Sequence, residues 1–109
     1  HEGEGDTARS VVVLRRGWCL AITAALVRFA RDRDALDDPL GNGVRGVLEI
    51  PAASAPVWAS GSGYVREQSG GAILLNGGAT LLVKPHSIEL YASPADALHA
   101  RGCLGAIPL

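Results

Sequence analysis

The sequence predicts an α+β fold, with one main amphipathic helix packed on an antiparallel β-meander and a short C-terminal helix. Three observations predict it: a helical spacing of apolar residues in the first third, short β-prone runs after Val44, and a helix-start pattern near Ser93. The chain has 109 residues, of which 48% are hydrophobic and 19% charged, so it can bury one core. We therefore expect a single α+β domain over residues 10–109.

The start of the chain is polar. Residues 1–9 are charged and rich in glycine, which predicts a flexible N-terminal segment. Because the sequence has no Met and begins with His1, we expect either a processed or excised piece of a longer protein or a start altered in cloning. The following run, Ser10 to Leu14, contains three consecutive valines and predicts a strand.

The main helix is predicted over residues 18–31, after Gly17. Its apolar side chains recur at the spacing of one helix face: Trp18, Ile22, Ala25, Leu26 and Phe29. The aspartates that follow disfavour a helix C-terminus, so we expect the helix to end by about Arg33. The apolar run from Trp18 to Val27 is about half of the roughly 20 residues that cross a bilayer, so no membrane span is predicted.

The predicted sheet contains strands at 72–75, 80–84 and 87–91. Asn76-Gly77 between the first two predicts a two-residue type I′ turn. In these two strands the apolar residues do not alternate, so we expect both of their faces to be covered. The main helix covers one face in this interpretation, and either a second sheet or another subunit covers the other.

A short helix is predicted to begin at Ser93-Pro94-Ala95-Asp96, because Ser93 can cap it and Pro94 fits its first position. Gly102 is the predicted left-handed residue that ends it. A helix this short is not stable alone, so Leu98 is predicted to dock on the sheet.

The first functional prediction is a non-enzymatic protein-interaction or assembly module whose partner is a second copy of the chain. It rests on apolar residues of the hairpin and the tail, which we expect to form the interface: Ile73, Leu75, Leu81, Val83, Leu104 and Ile107. The competing interpretation is a meander that curls into a barrel and covers itself. The alternative function is a small enzyme or small-molecule-binding domain with a pocket between the helix and the sheet, near Trp58, Tyr64 and His86.

The sequence contains no catalytic, metal or cofactor motif, and we expect no catalytic residue, no metal and no cofactor. The stretch Gly41 to Gly46 spells GxGxxG, but an Asp-rich loop precedes it and a strand-like run follows, which predicts a flexible turn. The net charge of −1 and the few aromatic residues argue against a nucleic-acid partner, and the arginines near the predicted helix are expected to be compensated by its aspartates.

Two cysteines are too few for a disulfide scaffold. Cys19 is predicted to be buried, and its pairing with Cys103 stays open because sequence does not place their Cα atoms. The compartment also stays open between cytoplasmic and mature secreted.

Overall fold

The computed structural model describes residues 9–109 as two antiparallel sheets. The first sheet has four strands in chain order: β1 (Ser10–Val13), β2 (Cys19–Ile22), β3 (Leu26–Ala30) and β4 (Val44–Glu49). The second has five, also in chain order: β5 (Val65–Ser69), β6 (Ala72–Leu75), β7 (Thr80–Val83), β8 (Ser87–Tyr91) and β9 (Gly105–Pro108). The two α-helices of this part of the chain are short: α1 (Arg33–Leu36) and α2 (Pro94–Leu98).

The predicted main helix over residues 18–31 is wrong, and with it the α+β fold class. These residues form the hairpin of β2 and β3, in which Leu20 pairs with Phe29. Thr23 makes the turn between them, because its hydroxyl oxygen accepts hydrogen bonds from the N–H groups of Ala25 and Leu26 at 3.2 and 3.1 Å. Such a bond offers the backbone an alternative to the helix, and Thr23 is the polar residue in this apolar run.

The helical spacing misled because β2 is covered on both faces. All four residues of β2 are buried. Leu20 and Ile22 point into the main core, whereas Cys19 and Ala21 lie under Leu36 of α1 on the outer face. A segment that is apolar on both faces fits a helical and a strand pattern equally well.

The main core lies between the two sheets, and each sheet contributes residues of its strands and of the segments that flank them. The first sheet supplies Val12, Leu20, Ile22, Val27, Phe29, Leu48 and Ile50. The second supplies Tyr64, Ile73, Leu75, Ala79, Leu81, Ile88, Leu90 and Ile107. The sequence left open whether a second sheet or another subunit covers the second face of the predicted hairpin. In the structure, a second sheet of the same chain covers it.

The turn between β6 and β7 is not the predicted two-residue type I′ turn. The N–H of Gly78 donates to the carbonyl of Leu75 at 3.1 Å, and positive φ falls on Gly77 (106°) and Gly78 (108°). A type I′ turn requires positive φ at Asn76 as well, and Asn76 does not have it. The hairpin forms at the expected place with a different, longer loop.

The short helix α2 begins at the predicted cap, where the Ser93 hydroxyl oxygen accepts from the N–H of Asp96 at 3.1 Å. Gly102 has the predicted left-handed conformation (φ 63°), but it does not end the helix. Ala100 is left-handed two residues earlier (φ 52°), and the N–H of Arg101 closes the turn on the carbonyl of Asp96 at 2.9 Å. The docking residue also differs, since Ala97 is buried and Leu98 is 80% exposed.

Within residues 9–109 the longer α-helix has five residues, so neither α-helix of this part of the chain can span a membrane. Of the predicted flexible segment 1–9, residues 1–8 lie outside the described residues. Arg9 is described, and its guanidinium donates a hydrogen bond to the Asp37 carboxylate.

One side of the sandwich is closed by glycines where β4 meets β9. A Cβ at Gly46 would lie 2.3 Å from Cγ2 of Ile107, and a Cβ at Gly105 would lie 2.4 Å from Cδ1 of Leu48. Each strand therefore places a glycine where the other inserts a large side chain. This pair of contacts brings the two edge strands together.

The GxGxxG stretch is explained by these contacts. Gly41 has a positive φ of 71°, a Cβ at Gly43 would lie 2.5 Å from the Ala35 carbonyl oxygen, and Gly46 faces Ile107. A strand, β4, begins at Val44, whereas a phosphate-binding loop opens into a helix. Gly43 and Gly46 thus allow close packing against α1 and β9, and Gly41 supplies a left-handed residue in the turn.

Candidate functional site

Most of the predicted interface residues lie inside the molecule. Ile73, Leu75, Leu81 and Ile107 are at most 1% exposed, because they fill the core between the sheets. Of the remaining two, Val83 is half-buried and Leu104 is 37% exposed. The structure gives no support to a homo-oligomer formed through the hairpin.

The predicted ligand pocket is not assembled. Its helix wall is absent, and Trp58 packs edge-on against Tyr64 at 5.1 Å between ring centres. Tyr64 lies beside the turn after β6, since its carbonyl accepts from the N–H of Asn76 at 2.8 Å. His86 is exposed in the turn at the other end of β7, so the structure separates it from the two aromatic residues.

A groove lies on the side of the sandwich opposite the β4–β9 contact, between β1 and β5. We call it the open-edge groove. It consists of three adjoining cavities of about 260, 470 and 320 Å³. The first and second share Leu14, Arg15 and Val83 as walls, and the second and third share Val13 and Gln68. At its inner end, the Ser10 hydroxyl oxygen accepts from the buried N–H of Tyr64 at 2.9 Å and links the two sheets.

Within residues 9–109, the backbone of β1 has no hydrogen-bond partner on the side of this groove. The N–H of Leu14 donates to the carbonyl of Trp18 at 2.6 Å, and hydrogen-bonded positions alternate along an antiparallel pair. Val12 therefore bonds to β2, whereas the N–H and C=O groups of Val11 and Val13 point away from it. Val13 is 61% exposed. The free edge of β1 thus presents two residues' backbone donors and acceptors.

The two strands that border the groove differ in how their edges are protected. β5 reads VREQS, carries charged residues and has a register irregularity between Val65 and Glu67. Charges and bulges discourage an additional strand. β1 reads SVVV, without a charge, a proline or a register shift. β1 is therefore the receptive edge.

The outer end of the groove is cationic. Arg15 and Arg16 lie in the turn between β1 and β2, and the Arg16 guanidinium carbon lies 5.9 Å from the centre of the Trp18 ring. Trp18 is itself fixed edge-on against Phe29 at 5.4 Å. Arg16 has a positive φ of 65°, a conformation that costs a non-glycine residue about 1 kcal/mol and that often marks functional segments.

These two arginines are not compensated in the way the sequence predicted. The Asp37 carboxylate accepts hydrogen bonds from Arg9 and Arg33, and these bonds lower the pKa of Asp37. Arg15 and Arg16 lie at a different turn, and neither has an ion-pair partner among residues 9–109. They leave a positive charge at the mouth of the groove.

The third cation at the mouth, Lys84, is paired. Its ammonium lies 2.7 Å from Oε1 of Glu89, which also accepts a hydrogen bond from the Tyr91 hydroxyl at 2.7 Å. The Lys84 bond, followed by the Tyr91 bond, lowers the pKa of Glu89. The bond to Glu89 raises the pKa of Tyr91 to about 12. Lys84 is thus held by the second sheet.

The remaining reactive groups do not converge. Cys19 is buried, as predicted, and burial raises the pKa of its thiol. Cys103 is exposed, and both cysteines are free. No group of three or more His, Cys, Asp or Glu side chains that could hold a metal ion is found among the described residues. We therefore take the open-edge groove as the candidate functional site.

Comparisons of the chain with protein-family models, with curated proteins and with solved structures give no match. The geometry of the groove is therefore the basis for a function.

Sequence reasoning did not single out the groove. Its walls come from segments about fifty residues apart, and nothing in either segment says that they lie side by side. One signal was present: the uncharged run SVVV contrasts with the charged run VREQS. Edge strands that avoid pairing carry charges, so the missing charges in β1 were informative.

Proposed function

We propose that the domain is a non-enzymatic protein-interaction module that binds an extended segment of a partner protein as an additional strand beside β1. The observation that carries the proposal is the β1 edge, where the backbone groups of Val11 and Val13 have no partner among residues 9–109 and lie beside a groove. Peptides that add a strand to a sheet gain affinity from such main-chain hydrogen bonds.

The groove supplies the second requirement, which is space for side chains. Alternate residues of an added strand would point toward the second sheet, where the walls are Val65, Gln68, Gly71 and Val83. Three of these four residues are apolar or lack a side chain. The geometry therefore favours a segment with small apolar residues at alternate positions.

A proline at position 13 tests the proposal with little damage to the fold. The N–H of Val13 is not used in the β1–β2 ladder, and proline is tolerated in an edge strand whose N–H faces outward. Val13→Pro removes the donor that an added strand would use. Val13→Thr is the matched control, because it keeps the N–H and the β-branched shape.

The experiment pans a random peptide library displayed on phage against the full chain and then measures the affinity of enriched peptides for the three proteins. We expect enriched peptides to bind the original protein and Val13→Thr and to lose affinity for Val13→Pro. Circular dichroism checks that the proline variant is folded. If no peptide is enriched, or if enriched peptides bind folded Val13→Pro equally well, the proposal is wrong.

A further inference from the structure

The charge of the open-edge groove is asymmetric along its length. The residues that line its inner cavity, next to Ser10 and Ser62, carry no charge. The cavity at its outer end is lined by Arg15, Arg16 and Lys84 around an apolar floor that includes Trp18. A strand lying along β1 would therefore lie beside uncharged residues at the Ser10 end and beside cationic residues at the Leu14 end.

Two of these three cations are available to a ligand. Lys84 is bound to Glu89 at 2.7 Å. Arg15 and Arg16 are exposed and have no ion-pair partner within residues 9–109. The ring of Trp18 lies beside the Arg16 guanidinium, so that this cation is already placed at the mouth.

The direction of an added strand follows from the sheet. Each strand pair of the first sheet is antiparallel, and antiparallel pairing is slightly more stable per residue than parallel pairing. A segment that adds in this sense runs opposite to β1. Its N-terminal end therefore lies beside Leu14 and Arg15, and its C-terminal end lies beside Ser10.

From this arrangement we infer that the partner segment is acidic at its N-terminal end, with aspartate or glutamate side chains that contact Arg15 and Arg16 before an uncharged, alternating strand. This inference rests on the proposed function and adds the chemical class and the orientation of the partner. Guanidinium groups suit carboxylates because they can bind them with two parallel hydrogen bonds.

Three synthetic peptides of matched length test the inference with the full chain. The first is Asp-Glu-Thr-Val-Thr-Val-Thr, the second has the reversed order Thr-Val-Thr-Val-Thr-Glu-Asp, and the third replaces the acids with Asn-Gln. All are acetylated and amidated, so that no terminal charge contributes. We expect the first to bind best, about threefold to tenfold more tightly than the third, as one or two exposed ion pairs would produce.

Variants of the protein assign this preference to the two arginines. In Arg15→Gln/Arg16→Gln the first and third peptides should bind with equal affinity. Arg101→Gln is the control, because Arg101 is an exposed arginine beside α2 and its loss should keep the preference. Raising NaCl from about 50 mM to about 500 mM should weaken the first peptide and leave the third unchanged, since salt screens exposed charges.

The outcomes separate the inference from the proposed function. If the third peptide binds the original protein but not Val13→Pro, strand addition is supported whatever the charge preference. Equal binding of the first and third peptides to the original protein contradicts the acidic preference alone. Tighter binding of the reversed peptide contradicts the orientation. Binding of all three peptides to Val13→Pro contradicts the proposed function itself.

Discussion

The two sides of the sandwich differ in how close their edge strands lie to each other. At the β4–β9 side, Gly46 and Gly105 each accept a large side chain from the other strand, and the edges meet. At the β1–β5 side, a buried hydrogen bond from the Tyr64 N–H to the Ser10 hydroxyl oxygen joins the sheets, and a groove lies beside it. The comparison shows that a few residues at each edge decide whether the two sheets meet there or leave a groove.

The largest expected effect compares two adjacent prolines in β1. Val12→Pro removes a ladder hydrogen bond and a buried valine, so we expect it to lower the free energy of unfolding by about 2–4 kcal/mol. Val13→Pro should lower it by less than about 1 kcal/mol, because its N–H points out of the ladder. Urea denaturation measures both, and equal losses would contradict the assignment of the free edge.

The next effect is at the closed side. Gly46→Ala should lower the free energy of unfolding by about 1–3 kcal/mol, because its Cβ would overlap Cγ2 of the buried Ile107. Gly105→Ala should cost less, since the overlapping atom is the far end of the Leu48 side chain and can rotate away. Thermal and urea unfolding compare the two variants. A cost for Gly105→Ala that exceeds that of Gly46→Ala would argue against this packing.

A change remote from both edges provides a reference. Ala100 follows α2 with a positive φ of 52°, so Ala100→Gly should raise the free energy of unfolding by about 0.5–1 kcal/mol. Neither edge is touched, and peptide affinity should stay the same. Differential scanning calorimetry with a binding assay checks both statements, and a loss of stability would show that Ala100 is not strained.

The smallest effect concerns the ion pair at the mouth of the groove. Lys84→Gln removes the main cause that lowers the Glu89 pKa, so this pKa should rise toward its ordinary value in an NMR titration. Because the pKa of Glu89 in the folded state is below its unfolded value of 4.5, its stabilising contribution is present above pH 4.5 and is lost as the pH falls through the folded value.

The Lys84–Glu89 ion pair also predicts how the free energy of unfolding changes with pH. The stability of Lys84→Gln should depend less on pH in that acidic range than that of the original protein. An unchanged Glu89 titration would show that Lys84 is free in solution and available to a ligand.

The sequence predicted three strands of the second sheet and missed the hairpin of β2 and β3 and the two-sheet arrangement. Regions 72–75, 80–84 and 87–91 are strands with nearly the expected bounds, because turn residues separate them. The run after Gly17 was wrongly predicted as a helix, because it is apolar on both faces: Leu20 and Ile22 face the second sheet, while Cys19 and Ala21 face α1. Periodicity identifies a face only when the other face is polar.

The candidate site was less predictable for a related reason. The residues expected at an interface, such as Ile73 and Leu81, are apolar because the core needs them. The groove depends instead on which strands end each sheet, and that is a property of tertiary order. Val13 and Arg16 gave no strong signal in the sequence, since an exposed valine and an exposed arginine are both ordinary in a turn or an edge.

Amide hydrogen exchange along β1 tests the central claim, that this edge is free and accepts a strand, most directly. In the protein alone, the N–H groups of Val11 and Val13 should exchange quickly and those of Val12 and Leu14 slowly. Adding the peptide Asp-Glu-Thr-Val-Thr-Val-Thr should slow the exchange of Val11 and Val13. Protection of Val11 and Val13 equal to that of Val12 in the protein alone, or no slowing at saturating peptide, would contradict the account.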